Sequence, residues 1–561
     1  MQLIECVPNI SEGRDADIIK QVTDVIESSE GVRLLDVDPG KATNRTVITF
    51  VGEPNAVVDA AFKLIKKASE LIDMSKHSGE HPRMGATDVC PMVPIANISM
   101  EETASYAHKL GARVGEELDI PVYFYENAAK SEIRKNLAVV RSGEYEGLKA
   151  KLTDPDWAPD HGPAAYEKAH TTGATAISAR DFLVAYNINL NTTSTRRANA
   201  IAFDVREKGR VAREGGVLSG KIIKDENGND TWTPGTLKSV KAIGWFIEEY
   251  GVAQISMNLT NISITSIHEA FDEVCRKAND RGIRVTGSEL VGLVPLQAIL
   301  SAGKYFLRKQ QRSTGISEAE IIKIAVKSLG LDELGPFRPE ERIIEYLLKE
   351  GNEKNLVDLS LVEFAEETAS ESPAPGGGSI SAYAGVLGIS LATMVANLSS
   401  HKRGWDDRWE EFSVWAEKGQ EYKNELIRLV DEDTNSFNKI MEAFRLPKGS
   451  DEEKEQRQQA IIEATKYAIE IPFKVMETAY RSMEVNKAMV EIGNPNSVTD
   501  AGVGALCART AVMGAFMNVK INCKDLDDTK YVEDILKKGA ELQQKAQDLE
   551  KEIVAITENM I

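Results

Sequence analysis

The spacing of apolar positions divides the chain into a mixed front part and a helical rear part. Residues 3–7 read as a strand, and residues 15–29 carry apolar side chains at helical spacing. β-Branched runs at 32–37 and 46–51 predict two strands, joined by a polar stretch from Asp38 to Arg45. Pro54 suits the first turn of a helix whose periodicity covers 56–72. A strand is predicted from Val89, a helix over 101–118 and a strand over 122–125. The order β-α-β-β-α-β is the split pattern of a ferredoxin-like sandwich.

Residues 142–175 are rich in glycine, proline and polar side chains and read as a connector with short helices. A second unit of similar size follows. It has strands at 181–190, 241–247, 253–259 and 283–286, and helices from about Ser194, after 259 and from about Pro295. Between them, Asn227-Gly228 marks a hairpin turn. Gly335-Pro336-Phe337-Arg338-Pro339 cannot lie inside a helix, and a charged stretch follows it. Beyond it strand signals vanish, and 380–397, 405–444, 453–485 and 527–559 carry helical spacing. The expected fold class is α/β plus all-α: two ferredoxin-like-type α/β sandwich units (1–178 and 179–329), a linker (330–355) and a helical bundle (356–561).

Composition narrows the function. A length of 561 residues requires several cores. A net charge of -20 argues against nucleic-acid binding through phosphates, though anionic small molecules need only a local positive pocket. Five scattered cysteines with no C-x-x-C pair fit a reducing, cytoplasmic setting without structural zinc. The N-terminal residues lack the pattern of a signal peptide, and no run approaches the roughly 18 apolar residues of a membrane span.

The densest chemistry is His77-Ser78-Gly79-Glu80-His81-Pro82-Arg83-Met84-Gly85-Ala86-Thr87-Asp88. Two glycines and a proline make it a shaped loop between a helix and a strand. A neutral histidine there exchanges protons near pH 7, and Arg83 suits bidentate binding of a carboxylate. Glu80 or Asp88 can orient an imidazole or hold an amine. His77-x-x-Glu80-His81 also matches a zinc-protease signature. That motif needs a continuous helix, which Gly79 and Pro82 deny, so no metal is expected.

The first part resembles the glutamate formimidoyltransferase family. The resemblance rests on Glu5-Cys6-Val7-Pro8-Asn9-Ile10-Ser11-Glu12-Gly13, Leu34-Leu35-Asp36-Val37-Asp38, Asn44-Arg45-Thr46 and, above all, Gly79-Glu80-His81-Pro82-Arg83-Met84-Gly85. Val291-Gly292-Leu293-Val294-Pro295-Leu296 extends it into the second unit. The rear part resembles formimidoyltetrahydrofolate cyclodeaminases through Ala374-Pro375-Gly376-Gly377-Gly378-Ser379. The order matches bifunctional members of the family; extra residues at 215–234 depart from the mammalian pattern.

The resemblance implies transfer of a formimino group from N-formimino-L-glutamate to tetrahydrofolate, then cyclisation to 5,10-methenyltetrahydrofolate with loss of ammonia. It puts the family's catalytic histidine on His81, with Asp38 assisting and Arg83 holding an anionic group. Asn9, Asn44, Arg45, His77, Glu80 and Gly85 are the accompanying substrate-binding candidates. The cyclisation needs an acid–base group, and the bundle's single histidine, His401, matches no motif. Asp433 and Asp500 are therefore the candidate carboxyls. Gly376, Gly377, Gly378 and Ser379 open a helix that can bind an anion, or serve close helix packing. Asn494, Asn496 and Ser497 form a helix-opening turn before Asp500. Tetrahydrofolate, polyglutamylated, is implied as co-substrate, and the assembly is implied to be a homo-oligomer, with an octameric ring as the candidate form. Two alternatives are a methenyltetrahydrofolate cyclohydrolase in the helical part, or a helical part that only assembles subunits.

Overall fold

A computed structural model describes residues 2–40, 44–78, 83–216, 220–248, 250–348 and 355–561. Contacts divide the chain into two compact units, Met1–Ala298 with Leu329–Glu350 and Ile299–Ser328 with Gly351–Ile561. The first is mixed α/β and the second is helical.

The first unit holds two main sheets. In one, strand Leu3–Cys6 pairs antiparallel with both Arg45–Gly52 and Thr87–Ala96. Val32–Gly40 pairs with Arg45–Gly52 on its other side. Helices Ala16–Glu27 and Pro54–Leu71 make the crossovers. Ile19, Val22 and Ile26 of the first and Val57, Ala61, Leu64 and Ile65 of the second are buried, following the spacing that predicted them. Beyond Thr87–Ala96 the sheet continues through Thr175–Ala179 to Val122–Glu126, both pairings parallel. The expected connector runs over 142–175, and no element is expected over 176–180. Thr-Ala-Ile-Ser-Ala is buried throughout and shows no alternation of buried and exposed faces, and its two β-branched residues stand apart, so the pattern left it unmarked.

The second sheet runs Val240–Ile247, Val252–Leu259, Val184–Leu190, Val285–Val291, antiparallel throughout. Helix Thr195–Val205 starts at Ser194, and Ile267–Asn279 starts with a capping box of Ser266 and Glu269. The last strand begins later than the expected 283. Gly282, at φ +68°, reverses the chain, and the Ile283 N–H still donates to Ala278 O. Asn227-Gly228 makes the expected turn, with Gly228 at φ +82°.

Contacts group Ile299–Ser328 with the helical unit, while the expected boundary places these residues with the second sheet. Thr314 Oγ1 lies 3.0 Å from Ser413 Oγ and donates to Glu417, while Gly315 O accepts from Asn397 and Gln420. Conversely, residues expected to be linker form short helices, Pro339–Arg342 and Ile344–Leu347, in the first unit. They bridge Val294 to Ile343, and the Leu296 N–H donates to Glu345.

The long helices of the second unit are Gly377–Ser400, Trp409–Arg445, Asp451–Ile492, Val498–Asn522 and Thr529–Met560. Gly377–Ser400 and Val498–Asn522 pack through small residues. A Cβ on Gly388 would meet Gly504 O at 2.6 Å, and one on Gly504 would meet Gly388 O at the same distance. By length and composition, Gly377–Ser400 and Pro495–Asn522 are apolar enough to cross a membrane, a correction to the expectation that no run comes near. In their most apolar stretches 61% and 50% of residues are buried, as in core helices.

Candidate active sites

The histidine loop leaves the short helical turn Met74–Lys76 and enters strand Thr87–Ala96. Gly79, Glu80, His81 and Pro82 lie outside the described residues. The residues on either side are fastened by one relay. Gly13 N–H donates to Asn44 Oδ1 (3.0 Å), and Asn44 Nδ2 donates to Ser78 O (3.1 Å). His77 Nε2 lies 3.0 Å from Asn44 O, and Arg83 Nε donates to His77 Nδ1 at 3.2 Å. Because an arginine Nε only donates, His77 Nδ1 accepts and the proton sits on Nε2. Burial, with Arg83 adding to it, holds the His77 imidazole below its ordinary pKa. His77 is thus a neutral strut with both nitrogens engaged.

Arg83 was expected to clamp an anionic substrate group. Its guanidinium instead meets carboxylates of this chain, with two parallel bonds to Glu146 (3.0 and 2.7 Å) and one to Glu144 (3.2 Å). A remaining N–H reaches His77 O at 3.4 Å. A cavity of about 450 Å³ opens here, lined by His77, Ser78, Arg83, Gly143, Glu144 and Glu146. Its carboxylates suit a cationic or donor-rich group better than an anion.

Gly85 packs against the neighbouring chain, where a Cβ would lie 2.4 Å from Ala174 O. Asn9 is buried and donates to Val7 O. Asp38 is exposed on strand Val32–Gly40, and no hydrogen bond joins it to His77 or Arg83 among the described residues. Asp88 is buried, accepts from Met84 N–H and faces Arg141 at 3.4 Å. Burial raises its carboxyl, with Arg141 and Arg45 pulling the other way. Arg45 is half-buried at the start of strand Arg45–Gly52.

A second cavity of about 480 Å³ holds Arg141, Arg180 and Lys241 among its lining, against Glu126 and Asp181. These cations come from three distant segments, so no sequence motif announced them. Nor was Glu5 marked as titratable. Burial pushes it up to about 7, with Arg180 pulling it down and Glu345 adding to the rise.

In the helical unit the glycine motif and Asp433 meet directly. Ser379 N–H donates to Asp433 Oδ2 (2.9 Å), with Ser379 Oγ at 3.2 Å from the same oxygen. Gly376 is the N-cap of Gly377–Ser400. A Cβ on Gly378 would lie 2.1 Å from Asp433 Oδ1, so this glycine admits the carboxylate. Burial raises the Asp433 carboxyl, and the Ser379 bonds pull it back. A cavity of about 160 Å³ opens beside it, with Thr434, Phe437, Asn518 and Asn522 in its wall. Neighbouring acids are otherwise occupied: Asp431 accepts from Leu356 N–H, and Glu432 from the Tyr467 hydroxyl.

Asp500 does not join this site. It lies in the first turn of Val498–Asn522, beyond a turn in which Asn494 Oδ1 accepts from Asn496 N–H and Ser497 is buried. Asn494 N–H donates to Ser399 Oγ, at the far end of the helix that Ser379 begins. Twenty residues separate Ser379 from Ser399, about 30 Å of helix. Asp433 and Asp500 therefore serve opposite ends of the bundle, and the turn's expected substrate role finds no carboxylate partner at Asp433. No cluster of metal-ligating side chains occurs among the described residues.

Three family models match: the formiminotransferase domain, N-terminal subdomain, over residues 3–180; the formiminotransferase domain over 185–349; and formiminotransferase-cyclodeaminase over 360–541. The chain is 43% identical to the formimidoyltransferase-cyclodeaminase of Gallus gallus, over 94% of each protein. It is also 43% identical to the glutamate formimidoyltransferase of Thermoplasma acidophilum, over 58% of this chain and 97% of that one. A methenyltetrahydrofolate cyclohydrolase of Methylorubrum extorquens is 34% identical over 31% of this chain and 84% of its own length.

Proposed function

The chain belongs to the formimidoyltransferase-cyclodeaminase family, and from that premise we propose which residues carry its two reactions. It transfers the formimino group of N-formimino-L-glutamate to tetrahydrofolate, its co-substrate. It then cyclises 5-formiminotetrahydrofolate to 5,10-methenyltetrahydrofolate with release of ammonia, in the degradation of histidine to glutamate.

In the first reaction His81 is the proton carrier. Nitrogen N5 of the folate loses a proton as it attacks, and the departing glutamate nitrogen gains one; a single imidazole serves both, worth roughly 10²–10⁴ in rate. The relay through Arg83, His77 and Asn44 supports this reading, because it anchors the chain on both sides of the histidine. Asp38 assists, and Glu80 holds donor groups of the substrate. The protonated formimino group suits Glu144 and Glu146, while Arg141, Arg180 and Lys241 suit the carboxylates of glutamate or of a polyglutamylated folate.

In the second reaction Asp433 is the acid–base group. Nitrogen N10 forms a bond to the formimino carbon, the carbon's bond to the amine nitrogen breaks, and the proton lost by N10 goes to that amine. The carboxyl returns to its starting state. A raised carboxyl suits it to both transfers.

Each sheet is read as ferredoxin-like, on the strength of the β-α-β-β-α-β order and the 2-3-1-4 arrangement of its four principal strands. A cytoplasmic homo-oligomer, with an octameric ring as its form, agrees with the exposed apolar row Leu387, Met394, Leu398, Val503, Met517 and Ile521. The observation that carries the proposal is the 43% identity over 94% of a bifunctional relative. The test gives the pure protein formiminoglutamate and tetrahydrofolate and follows glutamate, ammonia and methenyltetrahydrofolate together. Glutamate without ammonia would reject the second half, and neither product would reject both.

A further inference from the structure

Beside Asp433 the cavity gathers the side-chain oxygens of Thr434, Asn518 and Asn522 together with the helix start at Gly377 and Gly378. Asn518 and Asn522 lie one turn apart on Val498–Asn522 and line it together. Asn518 Nδ2 donates to Gly514 O (2.9 Å) and Asn522 Nδ2 to Ala468 O (2.7 Å). Only the nitrogen of an amide can donate to a carbonyl, so both side chains are held in one orientation. Neither Oδ1 accepts a hydrogen bond among the described residues. Thr434 Oγ1, also in the wall, is buried and has no partner among the described residues. Among the described residues no lysine or arginine lines the cavity, and Asp433 is its one ionisable group. Asn518 reaches to 3.3 Å of where a Gly377 Cβ would stand, and Asp433 to 2.1 Å of a Gly378 Cβ, so the amide and the acid flank adjacent residues.

We infer that Asn518 and Asn522, with Thr434, hold the departing nitrogen of the cyclisation as an ammonio group and so select ammonia over water as the group expelled. This rests on reading the Asp433 cavity as the cyclodeaminase site. Once protonated, the amine on the tetrahedral carbon carries three N–H donors and a positive charge, and it meets oxygen acceptors and a carboxylate. A hydroxyl leaving group has one donor and leaves amide oxygens unmatched, a buried mismatch of the kind that discriminates strongly. The 160 Å³ volume takes the carbon and its amine, being roughly five waters at about 30 Å³ each. The exposed ring of Phe437 stands at its wall.

The test begins with the unaltered protein. Cyclodeaminase activity on 5-formiminotetrahydrofolate is measured in ammonium chloride and in tetramethylammonium chloride at equal ionic strength. Ammonium has N–H donors and should inhibit at least fivefold more strongly; equal inhibition overturns the inference. Asn518→Leu and Asn522→Leu should each slow ammonia release at least tenfold, abolish the ammonium-specific inhibition and leave glutamate release unchanged. A melting curve and glutamate release that match the original protein guard against a leucine variant that merely misfolds. Leucine variants that deaminate normally, or that lose activity with ammonium inhibition intact, overturn it. Full activity in Asp433→Asn would instead reject the underlying site.

Discussion

Gly378→Ala tests the Asp433 site without touching a charged or polar side chain. The new Cβ would stand 2.1 Å from Asp433 Oδ1, against an ordinary contact of 3.4 Å or more, so the oxygen must retreat by about 1.3 Å. That retreat breaks the bond from Ser379 N–H, worth up to about 3 kcal/mol for a charged acceptor, while Ser379 Oγ keeps its bond to Val430 O at 2.9 Å. Alanine in place of glycine in a helix returns about 1 kcal/mol. The net expectation is a loss of about 2 kcal/mol, or roughly 4–8 °C in the melting of a unit of this size. Misplacing a catalytic group by about 1 Å costs up to ~10²-fold, so ammonia release should fall between tenfold and a hundredfold while glutamate release persists. The neighbours supply the scale. A Cβ on Gly377 meets Asn518 Nδ2 at 3.3 Å, and one on Gly376 meets nothing nearer than 3.8 Å. The assay is ammonia release from supplied 5-formiminotetrahydrofolate across the three variants, with the order of damage 378, then 377, then 376. Equal losses at all three positions, or full activity in Gly378→Ala, would refute the reasoning.

His81→Ala should abolish glutamate release yet leave cyclisation of supplied 5-formiminotetrahydrofolate; near-normal transfer would remove His81 from the mechanism. Arg83→Lys should cut transferase kcat at least tenfold with little change in KM for formiminoglutamate, because lysine keeps the charge but loses the fork to Glu146. A rise in KM alone would make Arg83 a substrate clamp after all. Glu5→Gln should stabilise the protein at pH 8 and hardly at pH 4. Its carboxyl rises from 4.5 to about 7 on folding, so the native state binds the extra proton and stability is lost as pH rises through that window, by about 3 kcal/mol when complete. Equal melting temperatures of the two proteins at pH 8 would contradict this. A fragment of residues 340–561 should melt below one of 299–561, since it lacks the 299–328 helices that pack on Ser413 and Glu417; identical melting would make that packing incidental.

How legible each feature was follows from what surrounds it. Helices Ala16–Glu27 and Pro54–Leu71 face water on one side, so their buried positions recur at helical spacing and the pattern finds them. Helix Val498–Asn522 is apolar on its exposed face, at Val503, Met517 and Ile521, as well as on its buried one. It carries no stripe, and the sequence marked only the turn that opens it. Strand Thr175–Ala179, buried on both faces, is silent for the same reason. Periodicity reports which face of a helix is apolar, not which unit covers it, so the contacts that group 299–328 with the helical unit leave no mark in the sequence.

The sites obey the same logic. His77, Arg83 and Asn44 were legible as polar loop residues, but the role of Arg83 depended on partners at Glu144 and Glu146, some sixty residues away. Arg83 read as a free cation until those carboxylates were in view. Asp433 and the glycine motif are 54 residues apart, counting from Ser379, and each alone had a plain structural explanation. Their contact removes it: Gly378 is small because Asp433 needs the space, and Asp433 sits within reach of Ser379 because the helix begins there. Asp500, in the first turn of its own helix, lacks such a partner among the described residues. The difference between the two aspartates is therefore one of packing, which spacing along a chain does not encode. The Asp433→Asn variant should lose the cyclisation and the Asp500→Asn variant should keep it, both read as methenyltetrahydrofolate formation from supplied 5-formiminotetrahydrofolate. The reverse outcome would move the proton-transferring carboxyl about 30 Å along the bundle.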